Sequence, residues 1–328
     1  IAKWPSYNKN TRHWYVLSSY MKRFEKTNGG TLILKKGTYL IPACIQVPSN
    51  VKLVFNDGVV IKKTRSTGTK KIRPNSSMFQ LIPPSKYPKT GAVGKYNGTK
   101  NVSFTGKGKV TFDMGSYPHG CCIIMAHDQN ITFDNITFKN CNAHFFELDA
   151  SKNVTIKNCT FQDLTGKGKT DEAINLDTPD KKTGGFSFRW SKMDKTANKK
   201  VTITGCRFKN MNRAIGTHKY SQGSGGVNMM HEDIVIKDNI LENVKGYEGA
   251  IVPYNWKNVT IENNVITGTG KGNEKTFAIV AHSVIAPKIK NNKISQYMNT
   301  ILIRRGFTSS GYGAPEKISV TQDQRALL

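Results

Sequence analysis

Hydrophobic and polar positions along residues 121–307 follow one repeated phrase. It reads ITFDNITF (131–138), VTIKNCTF (154–161), VTITGCRF (201–208), IVIKDNIL (234–241), VTIENNVI (259–266) and PKIKNNKI (287–294). Each copy has an apolar–x–apolar run, a polar turn around Asn, Asp or Gly, and then x–apolar. A second phrase follows each: HFFELDA (144–150), EAINLDT (172–178), RAIGTHK (213–219), GAIVPYN (249–255), FAIVAHS (277–283) and TILIRRG (300–306). CIIMAHD (122–128) is an earlier copy. Two short strands per repeat predict a solenoid of parallel strands, with the irregular extra residues leaving it as loops. The 3.6-residue apolar period of a helical solenoid is absent.

The pattern predicts two inward columns. One holds Ile136, Cys159, Cys206, Asn239, Asn264 and Asn292; the other holds Phe138, Phe161, Phe208, Leu241, Ile266 and Ile294. Like stacks on like when parallel strands lie about 4.8 Å apart. Upstream, residues 11–26 read as an amphipathic helix with Trp14, Leu17, Met21 and Phe24 on one face. Thr11 or Asn10 is placed to cap it, and Asn28-Gly29-Gly30 to stop it. That face is expected to cover the open end of the coil. Strands are expected at 31–41, 47–63 and 77–82, and loops elsewhere in 64–100. Two longer inserts, 178–200 and 220–232, directly follow the second phrase and so should leave one edge and wall a binding surface.

The opening stretch carries a family resemblance. A helix, then GGTLILKKGTYLI, IQVPSNVKLVFNDGVVIKK and NVSFTGKGKVTFD, resembles the start of pectate-lyase-like right-handed parallel β-helix proteins. That superfamily includes polygalacturonase-type hydrolases, polysaccharide lyases, uronan epimerases and phage tailspikes. The resemblance implies an all-β, single-stranded right-handed parallel β-helix (solenoid) with an N-terminal capping helix. It also implies a secreted or cell-surface protein directed at polysaccharide. One domain is expected over 1–328: capping helix 11–26, coils 31–307 and tail 308–328.

Composition narrows the partner. Lys and Arg number 49 against 22 Asp and Glu, a net charge of +27, which favours an anionic polysaccharide or another acidic partner. No nucleic-acid-binding module is recognisable. No run of 18 apolar residues predicts a membrane span. The first residue is Ile rather than Met, compatible with a removed export signal. Six cysteines show no zinc spacing, and Cys159 and Cys206 read as small core residues. Oligomeric state is not legible.

The candidate chemistry lies in the second phrase. Aligned on Ile124, Phe146, Ile174, Ile215, Ile251, Ile279 and Leu302, the outward column three places on reads His127, Asp149, Asp177, His218, Tyr254, His282, Arg305. One place on, Glu147 and Asn175 flank the aspartates. Like charges stacked on adjacent strands repel, so Asp149 over Asp177 requires a shared proton, a metal or nearby cations. A shared proton separates the two pKa values into an acid and a base, as glycosidic hydrolysis requires. The competing reading is a hydrogen-bonded Asp/His ladder on a solvated sheet.

Polygalacturonase-type hydrolases combine carboxylates from successive rungs with a following histidine, in motifs NTD, DD, GHG and RIK. Here the nearest strings are ELD (147–149), NLD (175–177), GTH (216–218) and IRR (303–305), while DD and GHG are absent. The catalytic candidates are therefore Asp149, Asp177, His218 and Glu147, with Glu172 as a competing acid beside Asp171. Arg213, Lys219, Arg304 and Arg305 are expected to pair with anionic groups of a glycan. His127 and Asn175 are expected to contact it, and Tyr220, Tyr254, Trp190 and Trp256 to stack on sugars. Three functions stay open. The first is a hydrolase without cofactor. The second is a lyase or epimerase, with Ca2+ on Asp149, Asp177 and Glu147 and a His, Lys or Arg base. The third is a non-catalytic glycan-binding module such as an adhesin or tailspike.

Overall fold

Residues 4–168, 171–181, 184–217 and 230–304 are described by the structure, a computed structural model. The helix Arg12–Lys26 buries Leu17, Met21 and Phe24 in the main core, with Trp14 packed at its margin. Thr11 stands at the N-cap, but its hydroxyl does not cap the helix. It donates to Ser6 O at 2.6 Å and accepts from Asn8 N at 3.0 Å. At the other end Asn28 turns left-handed (φ 56°) and the Gly29 N–H donates to Phe24 O at 2.7 Å, as the Asn-Gly-Gly stop predicts.

Beyond the helix the chain winds through three parallel sheets. The first coil is Gly30–Leu34, Gly37–Ile41 and Ile45–Gln46, and each later coil adds a strand to every sheet. The coil therefore has three strands per turn rather than the two expected. The polar turn inside the first phrase is the reason. Asn135, Asn158, Gly205, Asp238, Asn263 and Asn291 all have positive φ there, so each phrase bends sharply and serves two sheets.

The inward columns stack as the pattern predicts. Phe138, Phe161, Phe208, Leu241, Ile266 and Ile294 are neighbours in register. The first three rings lie nearly parallel, with centroids 5.1 and 4.9 Å apart. Burying each ring contributes about 1.5–3 kcal/mol. In the neighbouring column Asn239, Asn264 and Asn292 form a ladder. Each upper amide donates to the next Oδ1 at 2.9–3.0 Å, and each side chain also donates to a backbone carbonyl. Polar side chains facing the interior are thereby satisfied.

The third sheet carries the second phrase: Cys121–Ala126, Phe146–Asp149, Glu172–Asp177, Arg213–Gly216, Ile251–Val252, Phe277–His282 and Asn299–Arg304. Its register corrects two copies. Ile123, not Ile124, lies opposite Phe146, and Ile301, not Leu302, lies opposite Ile279. Both strands have adjacent apolar residues, so alternation alone did not choose the inward one. Ile124 points outward into a second cluster with Ile82, Val93, Ala126, Phe186 and Trp190. That cluster is the underside of insert 178–200, which packs on the outer face of the third sheet.

Candidate active site

Strands Phe146–Asp149 and Glu172–Asp177 pair with Phe146 opposite Ile174, Glu147 opposite Asn175, Leu148 opposite Leu176 and Asp149 opposite Asp177. Leu148 and Leu176 fill the core, so strand alternation aims Glu147, Asn175, Asp149 and Asp177 at the outer face. Asn198, from the end of the insert, ties the two strands together. Its Nδ2 donates to Leu148 O at 3.1 Å and Asp177 O at 3.3 Å, and its Oδ1 accepts from Ser151 N at 2.9 Å. Sequence reasoning missed this residue, because a loop asparagine carries no periodic signal.

The two aspartates have no exposed surface, and Glu147 is 8% exposed. Asn175 Nδ2 donates to Glu147 Oε1 at 3.1 Å. Neither Asp149 oxygen receives a hydrogen bond from a described residue when its neighbours are carboxylates. Burial, and then the charges of Glu147, Asp177 and Asp180, push Asp149 well above the usual carboxylate range. A proton shared with Glu147 satisfies both groups at once. Among the described residues no group of three His, Cys, Asp or Glu is arranged to hold a metal ion.

A buried chain of polar groups leads away from Glu147. His144 Nδ1–H donates to Glu172 O at 2.8 Å, leaving Nε2 facing Glu147 Oε2 at 3.9 Å. The Glu172 carboxylate lies 3.9 Å from the same ring and accepts from Arg213 Nη1 at 2.7 Å. His144 was not singled out in the sequence. Its signal is its spacing: it stands two residues before Phe146 as Glu172 stands two before Ile174, and Phe146 lies opposite Ile174.

A family model described as right handed beta helix region matches residues 50–302. The chain belongs to the right-handed β-helix family. No curated protein matches its sequence. Among solved structures it is similar to an exopolygalacturonase of Thermotoga maritima, at 15% identity, covering 85% of this chain and 71% of that one, with TM-score 0.50. A tailspike of E. coli bacteriophage HK620, in complex with pentasaccharide, is similar at 14% identity, over 94% of this chain and 53% of that one, with TM-score 0.54. The β-helix thus spans about half the length of that tailspike. PfbA, a surface adhesin of Streptococcus pneumoniae, is similar at 15% identity, over 94% and 92%, with TM-score 0.44. At these identities the likeness is one of fold.

Several expected contacts of this β-helix are placed elsewhere. His127 is not in the aspartate column, since Ala126 lies opposite Asp149. Its buried ring lies 2.8 Å from Lys95 O and 2.7 Å from Ser191 Oγ, beneath the insert, and burial lowers its pKa. Trp190 is buried in the outer cluster and donates to Gln80 Oε1 at 3.0 Å; Trp256 is buried in the main core and donates to Thr217 Oγ1 at 2.9 Å. Neither offers a face to a sugar. Tyr254 is buried as well, edge-on to His282 at 5.9 Å. Arg213 and Glu172 are committed to each other inside the protein. Arg304 lies opposite His282 and is exposed. Burial and the charges of Arg304 and Arg213 lower His282 to about 4, so its ring is neutral near pH 7. His218, Lys219, Tyr220 and Arg305 lie outside the described residues.

Proposed function

We propose that this β-helix is a secreted or cell-surface glycoside hydrolase acting on an anionic polysaccharide. The observation that carries the reading is the pairing of Asp149 with Asp177 beside Glu147, with Asp149 held in its protonated form by burial and by its acidic neighbours. In this reading Asp149 gives its proton to the leaving glycosidic oxygen. Asp177 bonds to the anomeric carbon as the C–O bond breaks; water then displaces Asp177, its hydroxyl going to the sugar and its proton to Asp149, while Glu147 beside Asp149 keeps the pKa of Asp149 high. Asn175 orients Glu147, and His144 lies between Glu147 and the Glu172–Arg213 pair as a positioning residue. Stacked strands lie about 4.8 Å apart, which favours the shorter carboxyl separation of retaining enzymes, roughly 5–5.5 Å. The net charge of +27 supports an anionic substrate. The exopolygalacturonase and the pentasaccharide-bound tailspike show that the same fold serves glycans elsewhere.

A second reading, glycan binding without turnover, is favoured by one observation: both aspartates lack exposed surface, so substrate reaches them only after local opening. One experiment separates the two. Wild type and Asp177→Asn are incubated with a panel of acidic polysaccharides, and chain cleavage and binding are measured. The hydrolase reading expects cleavage by wild type, a loss of at least about a hundredfold in the variant, and retained binding. Equal turnover by the variant removes Asp177 from the mechanism. Binding without cleavage by wild type on every member of the panel establishes the second reading.

A further inference from the structure

We infer that a second site, a cationic groove beside the turns leading into the third sheet, binds an anionic oligosaccharide segment. The turns at 165–168, 212, 245–249 and 268–276 enclose an open cavity of about 810 Å3. Three lysines from three different turns line it: Lys167, Lys245 and Lys271. No carboxylate is among its described lining residues. All three lysines are exposed, and the lysine ion pairs among the described residues, such as Lys199 with Glu232 at 2.9 Å, involve the other sheets. Concentrating one sign of charge in a concave surface raises the local concentration of polyanions.

The rest of the lining says which polyanion. Asn212 and Asn243 each donate through Nδ2 within the protein, to Gly168 O and Asn210 Oδ1, which leaves their side-chain carbonyls for a hydroxyl-rich ligand, and Tyr247 supplies one aromatic face. A single-stranded nucleic acid would need successive aromatic platforms, and Tyr247 is alone in this lining. The groove floor is built firmly: Asn212 Nδ2 donates to Gly168 O at 2.6 Å, holding the 165–168 turn in place. Asn212 is next to Arg213, so the groove lies at the edge where the third-sheet strands begin. Asp149 and Asp177 lie at the opposite ends of their strands. Strand Glu172–Asp177 separates the two edges by roughly 17 Å, so the groove is distinct from the acidic cluster. A carboxylated or sulfated polymer crossing the sheet meets both; the groove holds its ligand whether or not the acidic cluster is catalytic.

The test is calorimetric titration at low and high salt with an oligogalacturonide, a sulfated oligosaccharide of equal length, a neutral maltooligosaccharide and a single-stranded oligonucleotide. Proteins compared are wild type, Lys245→Glu/Lys271→Glu and Asp177→Asn. The inference expects wild type and Asp177→Asn to bind at least one of the two acidic glycans in a salt-sensitive way. The double variant binds it at least about tenfold more weakly with an unchanged thermal midpoint. Which acidic glycan binds identifies the anionic group. Unchanged affinity in the double variant, equal binding of the neutral sugar, tighter binding of the oligonucleotide, or no binding by wild type overturns it. Loss of binding in Asp177→Asn alone moves the ligand to the acidic cluster and overturns it too.

Discussion

A carboxyl group buried beside two other acids holds its proton where an exposed one has lost it, and Asp149 is such a group. The consequence for stability has a definite sign. Its folded pKa lies above its unfolded value, near 3.9. Its contribution is fully present below that unfolded value and is lost as pH rises through the folded one. Asp149→Asn, which keeps the shape without the charge, should therefore raise the thermal midpoint relative to wild type more at pH 7 than at pH 4. Paired melting curves check this, and an equal difference at both pH values would show that Asp149 ionises normally. At this scale the sequence was partly legible. The stacking of residues 149 and 177 followed from alternation within two matching phrases. Their burial did not, because alternation says which way a side chain points and not what lies over it. The same gap led to Trp190 and Trp256 being read as sugar platforms.

The strands themselves were legible in content and less so in number. The phrase ITFDNITF, polar turn included, counts as one of two strands per repeat when only its pattern is read. The left-handed backbone at Asn135 makes that turn a corner between two sheets. Where two apolar residues stood side by side, as at Ile123–Ile124 and Ile301–Leu302, the periodic signal could not fix the register; cross-strand pairing did. The asparagine ladder is the element most sensitive to a single change. Asn264 Oδ1 accepts from both the backbone N–H and the side chain of Asn239, and its amide donates to Asn292 Oδ1 and Ile236 O. Asn264→Ala leaves those buried groups without partners and should cost roughly 2–4 kcal/mol. Urea unfolding measures it; a loss under about 0.5 kcal/mol would mean that the ladder does not support the coil.

Across the whole molecule, coil stacking does what no local motif does: it puts Glu147 and Asp149 next to Asn175 and Asp177, 28 residues later in the chain. The solenoid also puts the acidic cluster at one end of the third-sheet strands and the lysine groove at the other. The central claim is that this stacked acidic cluster splits a glycosidic bond with water. It is tested most directly by incubating the protein with acidic polysaccharides in water enriched in heavy oxygen and weighing the products. The account predicts one heavy oxygen at each new reducing end made by wild type, none at the other new end, and no product from the Asp149→Asn/Asp177→Asn variant. Products without the label, or the same labelled products from the double variant, would contradict it.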